Sequence, residues 1–222
     1  KLEKMSEGGG DEKNKGFLTL EEAKEQAGYY YEYQEGVYKY TMKGEREKLV
    51  EDGKVLVQGA DLVWWYAKGV YEYRINGKGF TLVEDGKVLF EGVDYVYWYA
   101  KGVYKYEIEG NGWTLIEDGE VLIEGVDSVS WYAKGVYSYE IEGEGCKLVE
   151  DGKVLIDLIE GADYVDWFRK GVYKYEMKGK GCTLIEHGEV LIEGAEYVHW
   201  HAKGVYKYKM EGEDWVKINK NK

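Results

Sequence analysis

Proline is absent from all 222 residues, and only two cysteines and four phenylalanines are present. Without proline, every turn must be made by other residues, and 31 glycines are available for that work. Two cysteines are too few for the disulfide framework of a small secreted domain. No run approaches the ~20 apolar residues that a membrane-spanning helix needs. Positive charge is also short. A net charge of −13 excludes the broad basic surface that nucleic acid requires and disfavours docking on anionic lipid. The sequence carries no G-x-S-x-G, phosphate-binding loop, HExxH or EF-hand motif, and periodicity singles out no carboxylate pair. It therefore reads as a non-enzymatic chain with no cofactor.

What the sequence does contain is a repeat. The tripeptide GVY returns at Val37, Val70, Val103, Val136, Val172 and Val205, in steps of 33, 33, 33, 36 and 33 residues. A fixed step of this size marks an array of supersecondary units. The copy from Gly102 to Lys134 shows what each unit wants to be. Val103–Glu109 alternates Tyr104, Tyr106 and Ile108 against Lys105, Glu107 and Glu109, the period of a strand. Trp113–Glu117 follows, then Asp118-Gly119, which signals a two-residue type I′ hairpin. Val121–Glu124 returns, Gly125 is expected to break the ladder, and Val126–Ala133 is the last strand. Its V-x-W-x-A pattern recurs at Val63/Trp65/Ala67 and Val96/Trp98/Ala100. The composition agrees, since 23 tyrosines and 8 tryptophans suit half-wet strand surfaces.

Both faces of the middle strands are apolar, so each four-stranded antiparallel meander should be sandwiched between neighbours. The expected fold class is all-β, with tandem 33-residue meanders arranged as a six-bladed β-propeller; an open β-solenoid or superhelical array satisfies the same pattern. A closed ring of this length should have a radius of gyration of roughly 17 Å. Residues 1–15 read as a charged, glycine-bearing tail, and the chain opens on Lys1, consistent with a removed leader or a trimmed N-terminus. Residues 16–27 read as a short helix opened by a capping box at Thr19–Glu22, or as a closing strand over Gly16–Leu20. A single β-repeat domain should fill 28–219, with units near 28–59, 60–92, 93–125, 126–161, 162–194 and 195–219; residues 220–222 form a tail. The fourth unit carries three extra residues near Asp157-Leu158-Ile159, which places that junction in a loop. The last unit has three strands.

The run GWTLIEDGEVLIEG, with VDYVYWYAKGVYKYEIEG one copy earlier, resembles the WG-type repeats of bacterial proteins. The likeness spans Gly36–Asn219. Thr114 stands where that family has glycine, and Trp113 gives way to Phe80, Cys146 and Cys182 in other copies. The resemblance implies a β-rich interaction scaffold.

Candidate functional residues follow from where the copies differ. Trp64, Tyr97, Ser130, Asp166 and His199 share one slot, one residue before the recurring tryptophan, while the slots around it hold fixed residue types. Aromatics, hydroxyls and a carboxylate at one position suit recognition of sugar or peptide. His199 and His201, two apart, form a candidate metal pair, with His187 at a hairpin tip of the preceding copy. Substitution at a tolerant position explains them as well. Cys146 and Cys182 occupy equivalent slots in adjacent copies; stacked at strand spacing they could meet, whereas on neighbouring blades about 10 Å apart they cannot bridge without distortion, and they read as small hydrophobes. The Lys-Gly and Asp-Gly turns fall on one edge and should form a salt-bridged rim, whereas Glu91, Glu124, Glu160 and Glu193 gather with Asp94, Asp127, Asp163 and Glu196 on the other. The expected partners are protein or glycan, with self-association possible and neither nucleic acid nor membrane insertion. The alternative is a structural subunit that polymerises head to tail by strand exchange into an extracellular filament.

Overall fold

The computed structural model describes residues 16–155 and 162–220. The expected tail at 1–15, the insertion at 157–159 and the last two residues lie outside them. Among these residues one short helix, α1 (Leu20–Gln26), precedes twenty-three strands. Sheet I comprises β1 (Tyr29–Gln34), β2 (Val37–Thr41), β3 (Glu47–Glu51) and β4 (Lys54–Ala60). Sheet II comprises β5 (Leu62–Ala67), β6 (Val70–Arg74), β7 (Phe80–Glu84) and β8 (Lys87–Val93). Sheet III holds β9 (Tyr95–Ala100), β10 (Val103–Ile108), β11 (Gly112–Glu117) and β12 (Glu120–Val126). Sheet IV holds β13 (Ser128–Ala133), β14 (Val136–Ile141), β15 (Gly145–Glu150) and the two-residue β16 (Lys153–Val154). Sheet V is β17 (Tyr164–Arg169), β18 (Val172–Met177), β19 (Gly181–Glu186) and β20 (Glu189–Ala195). Sheet VI stops at three: β21 (Tyr197–Ala202), β22 (Val205–Lys209) and β23 (Val216–Asn219). Every pairing is antiparallel between chain neighbours. The fold is all-β.

Turn chemistry sets this order. Asp52, Asp85, Asp118, Asp151 and His187 all take φ near +50°, each followed by a glycine at positive φ. That pair of left-handed residues twists with the flanking strands, which is why Asp-Gly closes the β3–β4, β7–β8, β11–β12 and β15–β16 hairpins. Gly125 behaves differently from the expectation. It sits at φ 72° inside β12, where the register skips from Leu115↔Ile123 to Trp113↔Val126. The glycine makes a bulge and the ladder continues past it. Gly112 lies across from this bulge, and a Cβ there would stand 2.8 Å from the Val126 carbonyl oxygen.

The first strand of each complete sheet begins a row of side chains that runs straight across one face. In sheet I the row is Tyr31, Lys39, Leu49 and Val57; in sheet V it is Asp166, Lys174, Leu184 and Ile192. The third member, Leu49, Leu82, Leu115, Leu148 or Leu184, is fully buried in all five. In sheets I, III, IV and V this front face packs on the back of the following sheet, which is built from the Val and Trp of the V-x-W pattern in its first strand and tyrosines of the next strand. Leu49 and Val57 thus meet Val63, Trp65, Tyr71 and Tyr73. Leu115 and Ile123 meet Val129, Trp131, Tyr137 and Tyr139 in the same way. Val121, next to the Asp118-Gly119 hairpin, is 54% exposed although the middle strands are apolar on both faces.

By its contacts the chain forms two compact units, divided between Val96 and Tyr97. In the first, α1 covers the back of sheet I. Thr19 accepts from the Glu22 amide while Glu22 accepts from the Thr19 amide, the reciprocal cap expected from T-L-E-E. Ala23 is buried on Tyr38, Tyr40 and Val50, with Phe17 and Leu20 beside it. The Tyr38 hydroxyl donates to the Leu18 carbonyl at 2.6 Å and the Leu18 amide donates to the Tyr40 hydroxyl at 3.0 Å. Gly16–Leu20 is therefore helix entry and not a strand. In the second unit, cores form between sheets III and IV, IV and V, and V and VI.

Candidate functional site

The five variable-slot residues occupy equivalent positions on five different sheets, each facing front. Trp64, Ser130, Asp166 and His199 stand opposite Glu72, Ser138, Lys174 and Lys207 of their own second strands. The slot is open to solvent: Trp64 is 48% exposed and Tyr97 50%, and Ser130 and His199 are exposed too. The residue two places earlier shares that face and exposure, as Tyr29, Tyr95, Tyr164 and Tyr197 show. These strands stand at one edge of their sheets, each paired on one side with its second strand.

What fixes the row is a set of contacts that alternation alone does not reveal. The Lys39 ammonium crosses to the Val63 carbonyl at 2.9 Å, Lys105 to Val129 at 2.7 Å and Lys174 to Val198 at 3.4 Å. Each carbonyl belongs to the residue just before a variable slot. Two hydroxyls back them up, with Tyr33 and Tyr99 donating to Val63 and Val129, and Tyr132 donates to Val165 where Ser138 replaces the lysine. The lysines also lie over aromatic faces, Lys39 at 4.8 Å from Trp64 and Lys105 at 4.4 Å from Trp113. Burial pushes the Lys105 ammonium below its ordinary pKa. Where glutamate stands in place of lysine, at Glu72, burial pushes the carboxyl up to about 7 against a hydrogen bond from Tyr66. Burial likewise raises Asp166, which Lys174 at 3.9 Å only partly offsets.

A second device joins the sheets. Glu51 accepts the Trp65 indole N–H at 2.7 Å and the Gly69 amide at 3.2 Å; Glu117 does the same for Trp131 and Gly135, and Glu150 for Trp167 and Gly171. The recurring tryptophan is thus a clamp between sheets. Outside it, Lys68, Lys134 and Lys170 pair with Asp52, Asp118 and Asp151, so the rim is salt-bridged. Sequence reading pointed to the salt-bridged Lys-Gly and Asp-Gly rim but gave these glutamates no part in it. The signal it missed is that the residue before Asp-Gly is always glutamate, a constancy that a solvated tip does not need.

His199 and His201 share the front of sheet VI. With Trp200, Lys207 and Trp215 they line an open groove of about 400 Å³, and the His199 ring tilts on Trp215 at 5.3 Å. His187 is placed elsewhere, in the β19–β20 turn. Among the described residues no three His, Cys, Asp or Glu side chains gather to hold a metal ion. Cys146 and Cys182 are both free thiols, the first half-buried and the second buried.

No family model matches the sequence, and no curated protein matches it either. The likeness to WG-type repeats therefore rests on the residues quoted for it. Solved structures align with most of the chain at low identity. The computationally designed Ika8 protein aligns over 84% of this chain and 69% of its own at 7% identity, with a TM-score of 0.39. The WD40 β-propeller domain of Doa1 aligns over 81% and 74% at 11% identity, TM-score 0.35. YCF48 bound to D1 peptide aligns over 79% and 73% at 11% identity, TM-score 0.37. No helix among the described residues is long and apolar enough to cross a membrane.

Proposed function

We propose that the chain is a non-enzymatic scaffold that recognises protein through the aromatic rows on its first strands. One observation carries this reading: tyrosine or tryptophan stands about half exposed at most outer front slots, and the strands of Trp64 and Tyr197 are each paired within their sheet and tied by a lysine of the preceding one. Large rings held on rigid strands offer contact area at small entropic cost, which is how protein-binding surfaces use them. The lysines under the rings add donors beside an apolar face. Glycan is the other ligand class that such rings serve, and it forms the second arm of the test. Immobilised chain is exposed to fractionated protein from the native source and to a glycan array, alongside W64A and Y97A. Protein capture weakened by each variant by roughly 1–3 kcal/mol is expected, with unfolding midpoints unchanged. Binding indifferent to both variants overturns the reading.

A second reading, head-to-tail polymerisation, is favoured by sheet VI, which has three strands among the described residues. Stacking would bring the back of another copy's sheet I to sheet VI, and α1 already covers that back. Electron microscopy of concentrated protein decides it: filaments support the reading and discrete particles at every concentration end it.

A further inference from the structure

Sheet VI ends at β23, and no further strand follows it among the described residues. The complete sheets show what belongs there. Their fourth strands read KVLVQGA, KVLFEGV, EVLIEGV and EVLIEGA, and each sets an apolar residue opposite the buried leucine of the row. In sheet VI the row runs His199, Lys207, Lys217, so the leucine position holds an exposed lysine. An apolar fourth strand would lay its side chain beside an ammonium there, and an acidic one would pair with it. Charge agrees at the scale of the sheet. Tyr197–Lys220 holds five lysines against three carboxylates in a chain whose net charge is −13. The same face holds the groove floored by Trp215, which is 48% exposed and stacked with Tyr197.

We propose that sheet VI binds an extended acidic peptide, which adds antiparallel to β23 as a fourth strand with a carboxylate opposite Lys217 and a neighbouring side chain over Trp215. Backbone bonds along the edge supply affinity, and alternate side chains supply specificity. A second copy of this chain is the poorer occupant. Its own fourth strands are apolar where sheet VI has turned basic.

The test uses the full chain and two peptides, EVLIEGA as it stands at Glu189–Ala195 and the same peptide carrying I192E. The I192E peptide should bind roughly tenfold tighter than its parent, with an affinity that falls as salt rises, and should slow hydrogen exchange at the outward amides of β23. K217L should reverse the preference and K217E should weaken the I192E peptide; Lys217 is exposed, so neither endangers folding. Equal binding of the two peptides, no binding of either, or protection outside β23 overturns the proposal. So does a concentration-dependent dimer that the I192E peptide dissociates, which would identify a second copy as the occupant. None of these results depends on Trp64 or Tyr97, so the first-strand reading stands or falls separately.

Discussion

At the scale of single residues, Glu72 departs furthest from its equivalents. Lys39, Lys105, Lys174 and Lys207 hold that position in other sheets, where an ammonium reaches a carbonyl of the next sheet in three of them. Glu72 is 6% exposed, accepts from Tyr66 and titrates near 7 in the folded protein. A carboxyl whose folded pKa lies above its unfolded value binds its proton more tightly when folded. Its contribution is complete below about pH 4.5 and is lost as pH rises towards 7. E72Q, neutral throughout, should remove that decline and raise stability at pH 8 by roughly 2 kcal/mol. Urea unfolding of both proteins at pH 5 and pH 8 checks this; an equal gain at both pH values would contradict it. Glu186 runs the opposite way. Lys220 and then Tyr206 hold it down at about 2, so its contribution is lost only on descent below pH 4.5.

Elements were the most legible level, for reasons particular residues make plain. Asp118-Gly119 requires two positive φ angles, few residue pairs supply them, and the hairpin follows. Alternation along Val103–Ile108 placed Tyr104 and Lys105 on opposite faces, as observed. Gly125 misled because a bulge and a strand end ask the same thing of glycine, and only the partner strand tells them apart. Glu117 misled because a carboxylate beside Asp-Gly resembles any wet turn; its partners, Trp131 and Gly135, come from the next sheet. Trp64 and Tyr97 were legible as a variable slot, while the lysines that brace it were not, since a lysine alternating with tyrosine reads as solvated. The clamp can be weighed by removing its indole donor. W131F should cost about 1–3 kcal/mol, because Glu117 is 8% exposed and would be left short of a partner. The same change at Trp200 should cost less: that ring is 36% exposed and stacks on Phe168, while Glu186 is served by Tyr206, Arg169 and Lys220. Thermal denaturation of the two variants compares them, and equal losses would mean that the indole bond is not what joins the sheets.

On the scale of the whole molecule, a repeat whose sheets pack on their chain neighbours leaves its first and last sheets to be treated separately. The two terminal sheets are treated differently. Sheet VI is altered in its own residues, with Lys217 at the leucine position and Lys220 at the position of the Asp-Gly aspartate. Sheet I keeps the apolar residues of an inner unit, Tyr38, Tyr40 and Val50, and buries them under α1. That helix is only seven residues long and would not hold its shape alone, so the sheet supports it as much as it shields the sheet. Removing residues 1–27 should therefore uncover a contiguous apolar face on sheet I while leaving every strand in place. The expected result is a shortened chain that keeps its β-sheet circular dichroism but self-associates with rising concentration in size-exclusion chromatography. A23D, which sets a charge against Tyr38 and Tyr40, should reproduce that behaviour in the full-length chain by displacing the helix. If both remain monomeric with unchanged melting temperatures, α1 does not act as a cover for sheet I. Objection to head-to-tail stacking would then lose its basis, because the back of sheet I would be open to a second copy.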